Sequence, residues 1–267
     1  MVERESESLA NATRVTCSVL SVPIDVLDWS AALSRIAQWA AHRQSRYVCI
    51  CNVHSVVTAA RHSGFRQIVQ QADMAAPDGA PVAAMLRATG YAGQQRINGP
   101  DLMWKYCERA AAVGESIYLL GGKPATLAAL HARLLEAFPG LIIAGSWSPP
   151  FRALTPEEDH AIVDRINASG AATIWVGLGC PKQERWMAEH RGRICAVMIG
   201  VGAAFDYHAG SLRRAPRWIQ ACGFEWLYRL AAEPRRLWKR YLVTNSLFIA
   251  WAAWQLLSRR LSRMFHG

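Results

Sequence analysis

Five short apolar runs in this chain each end in a polar or glycine-rich step, and most hand over at once to residues with helical spacing. Residues 46–51 end in Asn52-Val53-His54-Ser55. Residues 72–76 end in Pro77-Asp78-Gly79, and residues 116–120 in Gly121-Gly122-Lys123-Pro124. Residues 171–178 end in Gly179-Cys180-Pro181-Lys182-Gln183-Glu184, and residues 194–201 in Gly202. Strands that alternate with helices predict an α/β fold, a Rossmann-like, doubly wound and mostly parallel sheet. All five steps then lie on one carboxyl edge, where open α/β sheets bind ligands. Any one such glycine can serve only a tight turn; five in this arrangement point to a nucleotide-type ligand.

Around these runs the periodicity predicts a strand over 14–24 and a helix from Asp28 to about His42. It also predicts a helix opened by Asn98-Gly99-Pro100-Asp101, a strand over 141–147, and a capping box at Thr155-Pro156-Glu157-Glu158. The polar segment 1–13 reads as a flexible N-terminus with no signal peptide in it. Residues 14–210 read as the catalytic domain, and residues 211–267 as a helical, basic appendage. Apolar content of 52% over 267 residues is ample for a core. The seven cysteines are scattered without a CxxC, so they read as reduced thiols and not as a disulfide framework or zinc site.

Asp78 follows Pro77, which cannot extend a strand ladder, and precedes Gly79, which permits a sharp reversal. A carboxylate there can act as a general base or hold a ligand hydroxyl. Equally, it can cap the next helix. Gln183 and Glu184 sit in a first helical turn at the edge, where they can bond a ribose or sugar, or where Glu184 complements the helix dipole. Gly121-Gly122 lacks both the P-loop and the GxGxxG pattern, and Gly177-Leu178-Gly179 is followed by Pro181. ATPase and ordinary dehydrogenase readings are therefore weak, although glycines before a helix can still offer N–H groups to an anion. No Asp-x-Asp, HxH or HExxH occurs, so no metal site and no cofactor are expected, and phosphate charge falls to arginine, lysine and helix ends.

Nine of the ten net positive charges lie between Arg213 and Arg263, where eleven basic residues face only Glu225 and Glu233. Arg229, Arg236 and Arg240 can share one helical face, with a break expected at Pro234. An apolar run of sixteen residues, 242–257, follows. It is short for a transmembrane helix, which needs about 20. Phe248, Trp251, Trp254 and Phe265 among basic flanks predict a helix lying in a membrane interface, with a packing helix as the other reading.

These stretches, together with Arg96-Ile97-Asn98-Gly99-Pro100-Asp101-Leu102, Gly200-Val201-Gly202-Ala203-Ala204-Phe205-Asp206, Arg214-Ala215-Pro216 and Glu225-Trp226-Leu227-Tyr228-Arg229 through Glu233-Pro234-Arg235-Arg236, resemble the WecG/TagA/CpsF family of bacterial glycosyltransferases, glycosyltransferase family 26. They run in order over roughly residues 15 to 245. The resemblance implies an inverting, metal-independent transfer from a UDP-sugar donor to a sugar on a polyprenyl (undecaprenyl) diphosphate, in exopolysaccharide or cell-envelope assembly. It places the general base on Asp78, the pocket on Asn52, Arg96 and Gln183, and the diphosphate contacts on Arg229, Arg236 and Arg240. Gly121, Gly122, Gly179 and Glu184 complete the expected substrate-binding set. Ile50 departs from members that carry Thr there, which removes one hydroxyl contact.

The expected location is peripheral, on the cytoplasmic face of the inner membrane, with no nucleic acid as partner. A homo-oligomer is possible through the tail or the Trp104 helix. A non-catalytic basic module that binds membrane or nucleic acid is the alternative, and a nucleotide-dependent oxidoreductase is a distant third. Neither the donor sugar nor the linkage can be read from the residues.

Overall fold

The structure, a computed structural model, describes residues 14–266, with side chains to Ser262. Segment 1–13 and the side chains of Arg263 and Phe265 lie outside the described residues. Six parallel strands form the main sheet: β3 (Arg46–Cys51), β4 (Met74–Pro77), β5 (Ser116–Gly121), β6 (Ile142–Trp147), β7 (Thr173–Gly177) and β8 (Val197–Gly200). Their order is β4-β3-β8-β7-β5-β6. Twelve helices among the described residues accompany them.

Side chains alternate between the two faces of the sheet with the period of two that a strand imposes. On β3, Tyr47, Cys49 and Cys51 join one core and Val48 and Ile50 the other; on β7, Ile174 and Val176 join the first and Trp175 the second. The first core includes residues of helices Val53–Arg61, Ser63–Gln71, Pro156–Ser169 and Lys182–His190. The second includes residues of helices Trp29–Ala41, Gly99–Val113 and Pro124–Ala137. A sheet buried on both faces is why its strands read as continuous apolar runs.

From β5 the chain continues outward to β6, whereas from β7 it turns back to β8. That change of direction opens a crevice beyond the carboxyl ends of β5 and β7. Their last residues, Gly121 and Gly177, are register partners. A Cβ on Gly121 would come within 2.7 Å of the Gly177 backbone, and one on Gly177 within 2.7 Å of the Phe205 ring. These two glycines therefore let strand meet strand and Phe205 close the end of the sheet.

Three predicted elements are revised. Residues 14–24 form a hairpin, β1 (Thr16–Val19) and β2 (Val22–Asp25), around Leu20 and Ser21 at φ 51° and 66°. That turn normally carries Asn or Gly, so its sequence gave no signal. The strand expected over 194–201 shortens to β8. Pro77 is itself the last residue of β4, in register with Cys51, and is tolerated because β4 is an edge strand. The capping boxes at Asn52 and Thr155 form as side-chain and backbone pairs. Among the cysteines, 17, 49, 51 and 107 are buried, Cys180 is half-buried, and Cys195 and Cys222 are exposed; all are free thiols.

Beyond residue 210 the chain is helical: Arg217–Ala221, Glu225–Ala232 and Pro234–His266. The break expected at Pro234 is present, with proline opening the last helix. That helix lies along Val53–Arg61 and buries Leu237, Phe248 and Ala252. Burying a side chain the size of Phe248 contributes about 1.5–3 kcal/mol. Its Gln255 donates to Ser18 O at 2.7 Å and accepts from Leu20 N at 2.9 Å, clamping the β1–β2 turn. The opposite face leaves Trp238, Leu242, Ile249, Trp254 and Leu257 exposed. The helix thus packs on one face and presents apolar side chains on the other. No helix among the described residues is long and apolar enough to cross a membrane.

Candidate active site

Asp78 begins where β4 stops. Its backbone N–H donates to Cys51 O at 2.9 Å, so the carboxyl stands at the sheet edge beside the end of β3. Gly79, at φ 83°, turns the chain into helix Ala80–Ala88 and occupies the N-cap position without any side-chain cap. The capping role that Asp78 might have had is therefore not taken. Among the described residues its one side-chain hydrogen bond comes from Arg96 Nε at 3.2 Å, and the Gly79 N–H also favours its anion. Burial raises its pKa above the ordinary aspartate value; Arg96 opposes that rise and Glu225 adds to it. A sheltered carboxyl with raised proton affinity is suited to accept a proton near neutral pH.

Arg96 is placed by its neighbour: Ile97 N donates to Pro77 O at 2.8 Å, laying the loop across the end of β4. Its Nη2 donates to Glu225 Oε2 at 2.6 Å. Glu225 opens helix Glu225–Ala232, so one guanidinium joins the sheet edge to the C-terminal segment. Arg214 makes a parallel link. It pairs with Asp101, donates to Asn98 Oδ1 at 3.0 Å, and lies 3.6 Å from Glu225 Oε1.

Asn52 caps helix Val53–Arg61, its Oδ1 accepting from Ser55 N at 3.2 Å. That bond gives the residue a structural duty at the edge, next to Cys51. Gln183 and Glu184 are buried. Gln183 Oε1 accepts from Gly179 N at 3.1 Å and its Nε2 donates to Glu184 Oε1 at 3.0 Å, so Gln183 sets the shape of the 179–183 loop. Glu184 is 1% exposed beside Cys180 and is pushed up in pKa by burial. It is sealed from solvent. Gly179, at φ 79°, has open space where a Cβ would stand, and Gly122 lies against Phe205 and Thr126.

The three tail arginines do not share one helix. Arg229 is on Glu225–Ala232, whereas Arg236 and Arg240 follow the break at Pro234. Arg236 is largely exposed and pairs with Glu233 at 2.8 Å. Arg229 lies 5.9 Å from the centroid of the Tyr207 ring and 3.7 Å from Glu233. Arg240 has no ion pair among the described residues; its guanidinium is 5.6 Å from the Tyr241 ring centroid and its buried Nε has no hydrogen-bond partner there. Burial lowers its pKa, and Arg229 and Arg236 add to the lowering. Arg240 also acts on His54, which is held down at about 4, first by burial and then by that charge. Its charge is felt at His54 and Cys180, which follow the ends of β3 and β7 in the chain. A half-buried cation without a carboxylate can take an anion from outside.

Sequence reasoning missed Glu225, Arg214, Asp101 and Tyr207. The first three stand in stretches that carried the resemblance, but only folding shows that they meet. A cleft of about 380 Å³ is lined by Trp104, Arg133, Glu136, Ala137, Tyr207 and His208, none of them an expected site residue. Among the described residues no three His, Cys, Asp or Glu side chains form a metal-holding group. Compared with known families, residues 17–262 match the model of the glycosyl transferase WecG/TagA/CpsF family.

Proposed function

Because the chain belongs to the WecG/TagA/CpsF family of glycosyltransferases, we propose that it is an inverting transferase that moves a sugar from a UDP-sugar to a sugar carried on a polyprenyl diphosphate. Asp78 takes the proton of the acceptor hydroxyl as that oxygen bonds to the anomeric carbon. The bond from that carbon to UDP breaks on the opposite face. Arg240 and Arg229, with Arg236 at the rim, neutralise the charge that gathers on the diphosphate. No metal is needed where arginines carry this role. Asn52, Arg96 and Gln183 shape the pocket; Gly121, Gly122 and Gly179 shape its floor.

One juxtaposition carries this reading. A carboxyl of raised proton affinity at the edge of the sheet is joined by a half-buried arginine that has no acidic partner among the described residues, on a helix packed against Val53–Arg61, which follows β3. A base and an anion site are what transfer from a nucleoside diphosphate sugar requires.

The exposed stripe Trp238, Leu242, Ile249, Trp254 and Leu257, with Arg235 and Lys239 at one end and Arg260 at the other, supports a peripheral seat on the cytoplasmic face of the inner membrane. There the lipid-linked acceptor lies within reach. The same stripe is the one observation that favours a binding module without chemistry. Protection from thermal unfolding by UDP separates the two, since a ligand at 100 times its Kd adds about 2.7 kcal/mol.

The deciding experiment is a transfer assay on a lipid-linked acceptor sugar with a panel of UDP-sugars and EDTA present. Transfer from one donor is expected. Absence of both transfer and UDP binding overturns the reading.

A further inference from the structure

Arg96 is shared between two carboxylates that belong to different parts of the chain. Asp78, on the sheet edge, receives only the Nε contact at 3.2 Å. Glu225, on the C-terminal segment, receives the Nη2 contact at 2.6 Å, the shorter of the two. A guanidinium facing one carboxylate alone can grip it through two parallel N–H bonds, and such a grip holds the carboxylate ionised and weakens it as a base. Here that grip is divided.

We propose that Glu225 is a positioning residue of the transfer reaction: by engaging one edge of Arg96 it leaves the Asp78 carboxyl a single long contact, free to take up a proton, and it does so only while the C-terminal segment is docked. The inference rests on Asp78 being the base, as proposed above, and adds a residue that touches neither donor nor acceptor.

The charges around Asp78 act consistently with this. Arg96 and the Gly79 N–H favour its anion, while burial and Glu225 disfavour it. Cys51, at the end of β3, is a neutral thiol pushed up by burial. Behind Glu225 stand Arg214 and, beyond it, Asp101. Arg214 orients Glu225 from the far side, which keeps the glutamate from swinging away with its helix. Gly223, just before that helix, is close enough to Ala80 that a Cβ would come within 3.0 Å of it. The turn that delivers Glu225 is thus seated on the helix that Asp78 precedes.

The test is a carbon-13 titration of the Asp78 side-chain carboxyl in the full chain, its signal assigned by loss in Asp78→Asn. Removing one negative charge from the far side of the shared guanidinium, at an effective dielectric of about 20, lowers the carboxyl midpoint by about 1.5–2 pH units. Glu225→Gln is expected to show that drop. Glu225→Asp, which keeps the charge, is expected to recover most of it. In the transfer assay, Glu225→Gln is expected to move the acid limb of kcat/KM down with the carboxyl and to lower kcat about three- to tenfold. If Glu225→Gln does not fold, Glu225→Ala is read by the same titration. An Asp78 midpoint that is unchanged or higher overturns the proposal. The titration reads Asp78 whether or not sugar is transferred, so failure of the transferase reading and failure of this one are told apart.

Discussion

Asp78 and Glu184 are both carboxyls held above their ordinary pKa by burial, and they serve different ends. Glu184 is enclosed behind the 179–183 loop, where Gln183 donates to it. Asp78 stands at an edge with Arg96 as its one side-chain partner among the described residues. A folded-state pKa above the unfolded value means that ionisation opposes folding. Stability is then fullest below the unfolded value, about pH 4, and declines as pH rises through the folded one. Asp78→Asn removes this burden while Arg96 keeps Glu225. The variant is expected to unfold at the same or a higher temperature than the parent at pH 8, with the difference closing toward pH 4. Its turnover is expected to fall by about 10²–10⁴-fold, the usual share of a general base. A melting-temperature series across pH, run beside the transfer assay, checks both. Loss of stability at pH 8 would show that Asp78 is held for structure.

At the scale of elements, the β5–β7 junction places the site, and it rests on two glycines in register. Gly121→Ala puts a Cβ against the Gly177 backbone at a φ of 116°, which L side chains rarely adopt. Strain and overpacking of about 1–3 kcal/mol each are expected, read as a lower urea midpoint. A midpoint within error of the parent would mean that the strands separate easily there. This junction was partly legible in the residues: glycine after an apolar run marks the end of a strand. What glycine cannot announce is its reason, and Gly121 is closely packed against the Gly177 backbone. The doubly wound sheet, the carboxyl-edge placement of Asp78 and the break at Pro234 were legible because period and punctuation are local. The hairpin at Leu20-Ser21 was not, because neither residue advertises a positive φ. Nor was the meeting of Arg96 with Glu225, which are 129 residues apart. Arg229 is divided from Arg236 and Arg240 by the break expected at Pro234.

At the scale of the whole molecule, charge and apolar surface are collected at the C-terminal end. The last helix turns Phe248 and Ala252 inward and Leu242, Ile249 and Trp254 outward. If the outward face meets lipid, flotation with vesicles containing anionic lipid is expected to recover the protein at low salt and progressively less at high salt, since polybasic attraction is screened. Leu242→Glu is expected to lower that recovery severalfold and to leave UDP binding intact. Equal recovery with the variant would assign the stripe to something other than a bilayer.

The clamp of Gln255 on the β1–β2 turn also bears on how the protein comes into being. Leu20 is among the first described residues to be synthesised, and the side chain that secures it arrives 235 residues later. Arg229, Arg236 and Arg240 lie inside that interval. During translation the β1–β2 turn therefore stays unclamped until residue 255 has been added.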